Sequence, residues 1–502
     1  GHGTGSDTYD YGYMLMMNHF STAGADAMFA FWRSYIFTDE VIEMFQKYNM
    51  EWDWFIDSLE INRLGNYYWS NEMGEIFYKL NGYDVTPYLP MLFDNSLSIK
   101  GIDAEAVRND MTNAMTEAYI IFLDRLSNNL ATIGGKLRAQ VSYGASLTTS
   151  SAERAVDIPE TESLAFKLSV ESMKLMSGGA HLSGADEFSS ETNNWIGVAN
   201  ASYVDQIFAV HLQMAAGVNR TVWHGFEAET SSKKGLSWPN SEVGIGCMFA
   251  TPNIPTSVLE PNFSSHINRL QNILKTGTET VDIGIMQNDY FGIGLPDSGD
   301  KKGLLTMDHS LQNLGYTWEC FDSSYLWAEG GKYGFQNKDG TLGHPMYKAI
   351  VVWDNDLSLR AAEALLKLVK NGMRVVFLTK DAATTTKSLV GDNSSLAKVI
   401  EQIKASTDRV MTVDSTEGIA AALLKMGVTP RLALTDAVSK QPNKAQLNID
   451  GKGTYYTYDG LWTAMMRDKD ANYYYIFNES PDYAISTTAS FEGEFTPYSI
   501  DT

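Results

Sequence analysis

Short apolar runs alternate with amphipathic stretches along the first half of the chain. The run from Glu51 to Glu60 carries five large apolar side chains and ends in Asp57 and Glu60. Such runs are typical of buried parallel strands, whereas longer stretches such as Ala104 to Leu130 have the helical period. The alternation predicts five or six strand–helix units between residues 10 and 275. It favours a (β/α)8-type barrel that is incomplete at its N-terminus, or one whose remaining strands the pattern does not reveal.

The polar residues that follow the predicted strands are the first candidates for a functional site. In a (β/α)8 barrel the carboxyl ends of the strands carry the chemistry. Residues 180–188 are predicted to form a strand that ends in an acidic pair containing Glu187. Residues 218–227 are predicted to contain a strand that ends in Trp223 and His224.

Other charged residues have a structural interpretation. The segment from Asp157 to Glu162 is predicted to open a helix, because Glu160 and Glu162 would lie in the first turn, where the helix dipole favours acids. His181 lies inside an apolar run and is interpreted as a hydrogen-bonded core histidine.

A second pattern begins near residue 276. Val281–Met286, Tyr347–Trp353 and Met373–Thr379 are predicted strands, and Leu357–Asn371 is a predicted helix between two of them. This is typical of a doubly wound α/β domain. No glycine-rich phosphate loop follows these strands, so nucleotide binding is not predicted.

The last part of the chain changes to short alternating strands. Leu461–Met466 and Asn472–Asn478 are predicted to form a hairpin, which is typical of the start of a β-sandwich. We therefore predict a catalytic barrel over residues 1–275, a flavodoxin-like α/β domain over 276–429 and a β-sandwich-like segment over 430–502.

Composition narrows the class of partner. The 502 residues carry a net charge of -23, which argues against nucleic acid and anionic membrane surfaces as partners. Cys247 and Cys320 are the only cysteines, so a disulfide framework is excluded. No apolar run approaches the ~20 residues needed to span a bilayer. The sequence begins with Gly1 rather than Met, as at a processed or trimmed end, and we expect a secreted or periplasmic protein.

Aromatic side chains lie close to several of the acidic segments. Carboxyl groups surrounded by flat rings suit sugar hydrolysis, in which one acid protonates the leaving oxygen, a second activates water or attacks, and rings pack on the sugar faces. The rings that we assign to the sugar are Trp69, Tyr143, Trp195 and Trp223. Trp52 and Trp54, by contrast, are interpreted as core residues on one face of a strand.

Several short motifs, in this order, resemble family 106 of the glycoside hydrolases, the α-L-rhamnosidases that act on pectic and other rhamnosides. They are Asp57-Ser-Leu-Glu60, Tyr68-Trp-Ser70, Leu80-Asn-Gly-Tyr-Asp-Val-Thr-Pro-Tyr-Leu-Pro90, Arg138-Ala-Gln140, Ala155-Val-Asp-Ile-Pro-Glu-Thr-Glu162, Ser183-Gly-Ala-Asp-Glu187, Gly217-Val-Asn-Arg220 and Val222-Trp-His-Gly225. The resemblance covers most of the chain.

The resemblance implies an inverting, calcium-assisted mechanism in a (β/α)8 barrel that acts on an oligosaccharide or polysaccharide. It implies Glu60 and Glu187 as the acid/base pair, and we assign Glu60 as general acid and Glu187 as general base. Asp57 and His224 are expected to contact the sugar and Glu160 the metal. Members of that family are longer, so further segments of a larger polypeptide are expected.

Two other readings stay open on the sequence. One is a barrel enzyme for another sugar, such as a different α-linked deoxy sugar or a galactoside, since a barrel followed by an α/β unit also occurs in β-galactosidase-like enzymes. The other is a non-catalytic carbohydrate-binding protein built on a hydrolase fold, because fold alone does not establish activity.

Overall fold

A computed structural model describes most of the chain, and the description below is limited to that part. The described residues are 17–59, 67–94, 96–141, 147–163, 166, 170–192, 203–224, 258–287, 309–327, 347–435, 460–480 and 484–500. The chain divides into two compact units. The first contains residues 1–159, 290–293 and 387–391, and the second contains 160–289, 294–386 and 392–502.

The first unit is largely helical around two parallel strands. Its elements are α1 (Thr22–Tyr35), α2 (Asp39–Lys47), β1 (Asp53–Ile56), α3 (Met73–Asn81), α4 (Leu89–Phe93), α5 (Ala104–Ala131), β2 (Lys136–Ala139) and α6 (Thr149–Ala152). The long helix α5 packs against α1, α3 and β2. It begins where the Asp103 side chain accepts hydrogen bonds from the first free backbone N–H groups of the helix, those of Glu105 and Ala106.

The two tryptophans of the first predicted strand are partly buried and share a neighbouring ring, as expected for side chains on one face. The ring of Phe37 lies 4.9 Å from Trp52 and 4.8 Å from Trp54, centre to centre. Because side chains alternate along a strand, Phe55 lies on the opposite face of β1. There the guanidinium of Arg138 lies 4.4 Å from the Phe55 ring. The strand therefore has a helix-covered face and a second face that carries charged groups.

The second unit contains the remaining elements. They are α7 (Val170–Leu182), β4 (Ser189–Thr192), α8 (Tyr203–Ala215), β5 (Arg220–Trp223), α9 (Glu260–Leu274), β6 (Thr278–Glu279), β7 (Ile283–Met286), α10 (Ser310–Asn313), β8 (Trp318–Phe321), β9 (Ala349–Val352), α11 (Leu359–Lys370), β10 (Arg374–Leu378), α12 (Asn393–Lys404), β11 (Val410–Val413), α13 (Glu417–Lys425), β12 (Leu432–Thr435), β13 (Leu461–Arg467), β14 (Asn472–Asn478) and β15 (Thr488–Phe491). Strand β3 (Ile158–Glu162) begins in the first unit and ends in the second.

The strands of the barrel-like region run parallel, and each pairs with the next along the chain. In the first unit β1 pairs with β2, and β2 pairs with the start of β3 at Ile158 and Pro159. In the second unit the rest of β3 pairs with β4, and β4 pairs with β5. Sequential order with intervening helices is that of a (β/α)8 barrel, whereas a doubly wound sheet reverses its order. The described strands are therefore consistent with a barrel of this type.

Two local predictions in this region are wrong. The segment expected to open a helix is strand β3, because Ile158 precedes Pro159 and a residue before proline is pushed into extended conformations. The strand expected over residues 180–188 is the end of helix α7 and a turn. Gly184, with φ of +74°, supplies the left-handed residue that follows a helix end, and β4 begins only at Ser189.

The strands from β7 to β11 form a second parallel sheet. Its order is β8-β7-β9-β10-β11, so the order reverses after the first two strands. This is the flavodoxin-like order of a doubly wound sheet. Buried apolar side chains of the sheet, among them Ile350, Val375 and Phe377, pack with Leu365 and Leu368 of α11.

The last strands pair antiparallel. The hairpin of β13 and β14 forms where the sequence predicts it, and its turn is closed by a hydrogen bond from the Asp468 N–H to the Ala471 carbonyl. Strand β13 also pairs with β6, and β12 pairs with β15. The three predicted domain boundaries and the β-sandwich stay predictions. Among the helices described, none has the length and apolar character needed to cross a membrane.

Candidate active site

The carboxyl ends of β3 and β4 bring two glutamates side by side. Glu160 is in register with Ser189, and Glu162 is in register with Glu191. Register partners on adjacent strands point to the same face, so the three glutamates share one face of the sheet. Neighbouring strands lie about 4.8 Å apart, which brings the backbones of Glu162 and Glu191 within that distance.

The opposite face of the same strands is covered by helices. The hydroxyl of Ser190 donates a hydrogen bond to the Gln213 side chain on α8, and the hydroxyl of Thr192 donates to the same oxygen at 3.2 Å. The ring of Trp223 lies 5.4 Å from Phe263 on α9. The glutamate face is therefore the one turned away from the helices, which in a (β/α)8 barrel is the interior.

Glu160 and Glu191 on this face differ in how deeply they are buried. Glu160 is fully buried, and Ser189 donates a hydrogen bond of 2.7 Å to its Oε2 atom. Glu191, one step nearer the carboxyl end of the next strand, keeps 15% of its side chain exposed. His224 directly follows β5, and its Nε2 atom lies 3.7 Å from Oε1 of Glu191. Glu162, Glu191 and His224 thus lie at or directly after the carboxyl ends of neighbouring strands, where barrel enzymes carry their chemistry.

The expected position of Glu187 is wrong. It precedes β4, at the amino end of the strand, rather than following a strand. Its carboxylate accepts hydrogen bonds from Lys275 at 2.7 Å and from Arg220 at 2.9 Å. Burial raises the pKa of Glu187, but the hydrogen bond and charge of Lys275 together with Arg220 outweigh it and hold the pKa below its usual value. Residues at this end of a barrel serve stability, so Glu187 is not retained as the general base.

Trp223 is also placed differently from the expectation. It ends β5 on the helix-covered face, where it packs against the apolar cluster of α8 and α9. A ring in this position stabilises the sheet–helix contact and does not reach the glutamate face. His224, the next residue, has the predicted position after a strand, and its backbone N–H donates to the Thr192 carbonyl at 2.8 Å.

Two predicted contacts belong to the first compact unit. Asp57 directly follows β1, is exposed, and accepts a hydrogen bond of 2.8 Å from the Ser58 N–H. Trp69 is 42% exposed, and its carbonyl accepts from the Asn18 side chain. Their roles as sugar contacts stay predictions. Glu60, Tyr143 and Trp195 lie outside the described residues.

Glu191 is the residue that the sequence analysis missed. Gly184 could have revealed it. If this glycine is taken as the end of a helix, the next strand begins after it, and Glu191 then lies near the carboxyl end of that strand. Glu162 was recognised as one of the acidic residues, but it was assigned to a helix start and left out of the site.

The sequence resemblance implies calcium and names Glu160 as a ligand. Within the described residues, no three Asp, Glu, His or Cys side chains are grouped so that they could hold a metal ion. Glu160, the predicted metal ligand, is buried and accepts a hydrogen bond from Ser189, and its role toward a metal stays a prediction. Calcium stays a prediction, and no step of a mechanism is derived through that ion.

Comparison with known proteins gives the fold. No protein-family profile and no curated protein sequence matches the chain. Among solved structures, a rhamnosidase from Novosphingobium sp. PP1Y superposes with a TM-score of 0.68 at 17% identity, over 95% of this chain and 44% of that one. A β-galactosidase from the psychrophilic Marinomonas ef1 gives a TM-score of 0.48 at 10% identity, over 85% of this chain and 81% of that one, which is too weak to carry an argument. The chain thus has a glycoside hydrolase-like fold and spans less than half the length of the rhamnosidase.

Proposed function

We propose that this chain forms part of a glycoside hydrolase that removes terminal α-L-rhamnose from a plant or microbial oligosaccharide or polysaccharide. The observation that carries the proposal is the pair Glu162 and Glu191, in register at the ends of adjacent parallel strands, with His224 beside Glu191. The motifs that resemble family 106 and the fold shared with a rhamnosidase support rhamnose as the sugar. Action on such substrates agrees with the secreted or periplasmic location that we expect.

Inverting hydrolysis requires two carboxyl groups with different tasks. The acid gives its proton to the glycosidic oxygen as the bond to the anomeric carbon breaks. The base takes a proton from the water whose oxygen bonds to that carbon from the opposite side. We assign the base to Glu191, in place of Glu187, and keep Glu60 as the general acid. Because like charges at short range disfavour double ionisation, Glu162 is suited to share a proton with Glu191.

The remaining groups position the reaction. Glu160 lies deeper on the same face, where its hydrogen bond from Ser189 ties β3 to β4 and fixes the register of Glu162 against Glu191. His224 can hydrogen-bond Glu191 or a sugar hydroxyl. Asp57, Trp69, Tyr143 and Trp195 are proposed sugar contacts.

The test is release of sugar from an aryl α-L-rhamnoside, with the product anomer followed by NMR. We expect β-L-rhamnose as the first product. Glu191→Gln should lower kcat at least about 10²-fold, because amides cannot accept the proton. Glu187→Gln is the matched control. It makes the same conservative substitution at the other end of the same strand, and its kcat should stay close to that of the wild type.

Each alternative gives a different result. Sugar release from an aryl galactoside, but not from the rhamnoside, would identify the protein as a galactoside hydrolase and contradict rhamnose as its substrate sugar. Oligosaccharide binding without any release would indicate a binding protein. Unchanged turnover in Glu191→Gln would remove that residue from the mechanism, and a large loss in Glu187→Gln would reinstate the earlier assignment.

A further inference from the structure

A buried glutamine lies behind the strand that carries Glu191. Gln213 of α8 is 1% exposed, and its side-chain oxygen accepts hydrogen bonds from the hydroxyls of Ser190 and Thr192, the latter at 3.2 Å. These two residues stand directly before and after Glu191 in β4. One side-chain oxygen therefore holds both of the residues that flank the proposed general base.

The amide group of Gln213 is itself held in orientation. Its Nε2 atom donates a hydrogen bond of 3.0 Å to the carbonyl of Ala209, one turn earlier in the same helix. This contact commits the nitrogen of the amide to the helix and leaves its oxygen for the two hydroxyl donors of β4. The acceptor is thus already aimed at the strand, as in a residue that supports a functional group.

Packing alone does not account for polar side chains at this place. The layer between the strands and helices of a (β/α)8 barrel is ordinarily apolar, and the neighbours of Gln213 in α8, Leu212 and Met214, are buried apolar residues. A buried polar group costs free energy unless it is hydrogen-bonded. A methionine would fill a similar space without that requirement, yet the chain has a glutamine, bonded to both neighbours of Glu191.

The backbone at the same end of β4 is tied to both neighbouring strands. The Glu191 carbonyl accepts a hydrogen bond of 2.9 Å from the Ser163 N–H, and the Thr192 carbonyl accepts one of 2.8 Å from the His224 N–H. Such bonds lie in the plane of the sheet and restrict rotation of a strand about its axis less than a contact from above or below does. Gln213 supplies that contact on the face opposite the Glu191 carboxyl group.

We propose that Gln213 is a positioning residue, which directs the Glu191 carboxyl group at the reacting water by holding Ser190 and Thr192 on the opposite face of β4. The inference rests on the proposed function, since it takes Glu191 as the general base. A misplacement of about 1 Å can cost about 10²-fold in rate. Gln213 lies on the helix-covered face, so it acts on the reaction only through Glu191.

The test compares two substitutions of Gln213. Gln213→Met fills a similar volume and removes the acceptor, and we expect kcat for an aryl α-L-rhamnoside to fall about tenfold with little change in KM. Gln213→Glu keeps an oxygen that accepts from both hydroxyls, and its protonated form, which burial favours, also donates to the Ala209 carbonyl. It should restore most of kcat. A purely structural role would not separate the kcat values of the two variants.

The chain offers matched controls on the helix and on the sheet. Gln206 is a buried glutamine of α8 whose Oε1 atom has no hydrogen-bond partner within the described part of the chain, and Gln206→Met should leave kcat unchanged. Ser190→Ala combined with Thr192→Val should reproduce the loss seen in Gln213→Met. Thr161→Val should not, because the Thr161 hydroxyl, buried in β3, has no partner among the described residues.

A crystal structure of Gln213→Met separates this proposal from the proposed function. We expect the Glu191 side chain to leave its wild-type position or to occupy more than one, a readout that needs no turnover. A wild-type protein that hydrolyses no glycoside would contradict the proposed function, and the crystal structure would still decide the role of Gln213.

Three results would overturn the positioning role. They are an unchanged Glu191 side chain in Gln213→Met, a wild-type kcat in that variant, and equal losses of kcat in Gln213→Met and Gln213→Glu. Circular dichroism checks that each variant is folded. If Gln213→Met is not, the combined Ser190→Ala and Thr192→Val variant takes its place in both measurements.

Discussion

Glu187 and Glu191 lie at opposite ends of β4, and this difference is the reason why we propose different roles for them. Glu187 faces two cations at the amino end, where its charge is satisfied by Lys275 and Arg220. Glu191 faces a histidine at the carboxyl end, beside another carboxyl group. A carboxylate neutralised by two cations is a poor proton acceptor, whereas one beside a second carboxyl group can exchange a proton.

Glu187→Gln tests the structural role of the first of these residues. The change should lower the free energy of unfolding by about 0.5–1 kcal/mol at pH 7, the range of a partly exposed ion pair. Because the pKa of Glu187 is depressed in the folded state, its stabilisation is present above the usual value of about 4.3 and lost as the pH falls through the lower folded value. Urea unfolding of both proteins should therefore differ at pH 7 and converge in acid. A difference that stays constant as the pH falls from 7 into the acid range would contradict this account.

At the scale of elements, the contact between α7 and β8 is held by a buried charge network. Helix α7 supplies Lys174 and His181, and the latter lies 2.6 Å from Glu319 of β8 and 2.9 Å from Glu279 of β6. Tyr347 donates a further hydrogen bond of 2.8 Å to Glu319. The network confirms His181 as a hydrogen-bonded core residue, although it lies on a helix and not on a strand.

The close approach of these elements depends on one glycine. A Cβ atom at Gly178 of α7 would collide with the carbonyl oxygen of Cys320 on β8. Only glycine lets the helix backbone lie this close to the strand. At this distance the ring of His181 reaches Glu319 directly, and burying such a charged group is costly unless it is paired with an opposite charge.

Removing His181 should be costly, and the cost should depend on pH. His181→Ala leaves Glu279 and Glu319 short of a counter-charge, and breaking a buried pair costs about 3–5 kcal/mol. Burial lowers the pKa of His181, but the charges of Glu279 and Glu319 outweigh it and raise the pKa well above its usual value.

This raised pKa sets the direction of the pH dependence. The stabilisation is fully present below about pH 6.5 and is lost as the pH rises through the folded value. We measure the free energy of unfolding with denaturant at several pH values. As the pH rises above about 6.5, the difference between the wild type and His181→Ala should shrink. Tyr347→Phe, which removes one hydrogen bond and no charge, should cost about 1–2 kcal/mol and keep the wild-type pH dependence. Parallel pH profiles for wild type and His181→Ala would argue against the network.

At the scale of the whole molecule, the net charge of -23 acts on charged substrates. A neutral sugar does not respond to this charge, but an oligosaccharide that carries uronate groups is repelled during approach. Raising the salt concentration from about 0.01 to 0.15 M shortens the screening distance from about 30 to 8 Å.

Salt should therefore separate two substrates of the proposed enzyme. We expect kcat/KM for a rhamnosyl oligosaccharide that contains uronate to rise severalfold over this range, and kcat/KM for an aryl rhamnoside to stay constant. Steady-state kinetics on both substrates check this. A fall in kcat/KM for the anionic substrate would instead indicate a locally basic binding groove.

The sequence by itself determined much of the element pattern. Apolar period and turn residues located α5, the hairpin of β13 and β14, and the strands β7, β9 and β10 of the doubly wound sheet, but not its strands β8 and β11. Alternation placed Trp52 and Trp54 on one face. It also pointed to His224, because a residue after a strand lies at the strand's end wherever that strand is placed in the sheet.

Only the tertiary structure decided which carboxyl groups meet. An apolar run such as Ala180–Leu182 fits a helix end as well as a strand, and choosing the strand shifts Glu187 to the wrong end of β4. The helices cover one face of β3, β4 and β5. Trp223 packs against them on that face, and Glu191 lies on the opposite face. The hydrogen bonds that Gln213 accepts from Ser190 and Thr192 join residues 23 and 21 positions apart. Local period fixes an element and its alternation, but long-range pairing and packing fix its boundaries, its partners and the direction in which it faces.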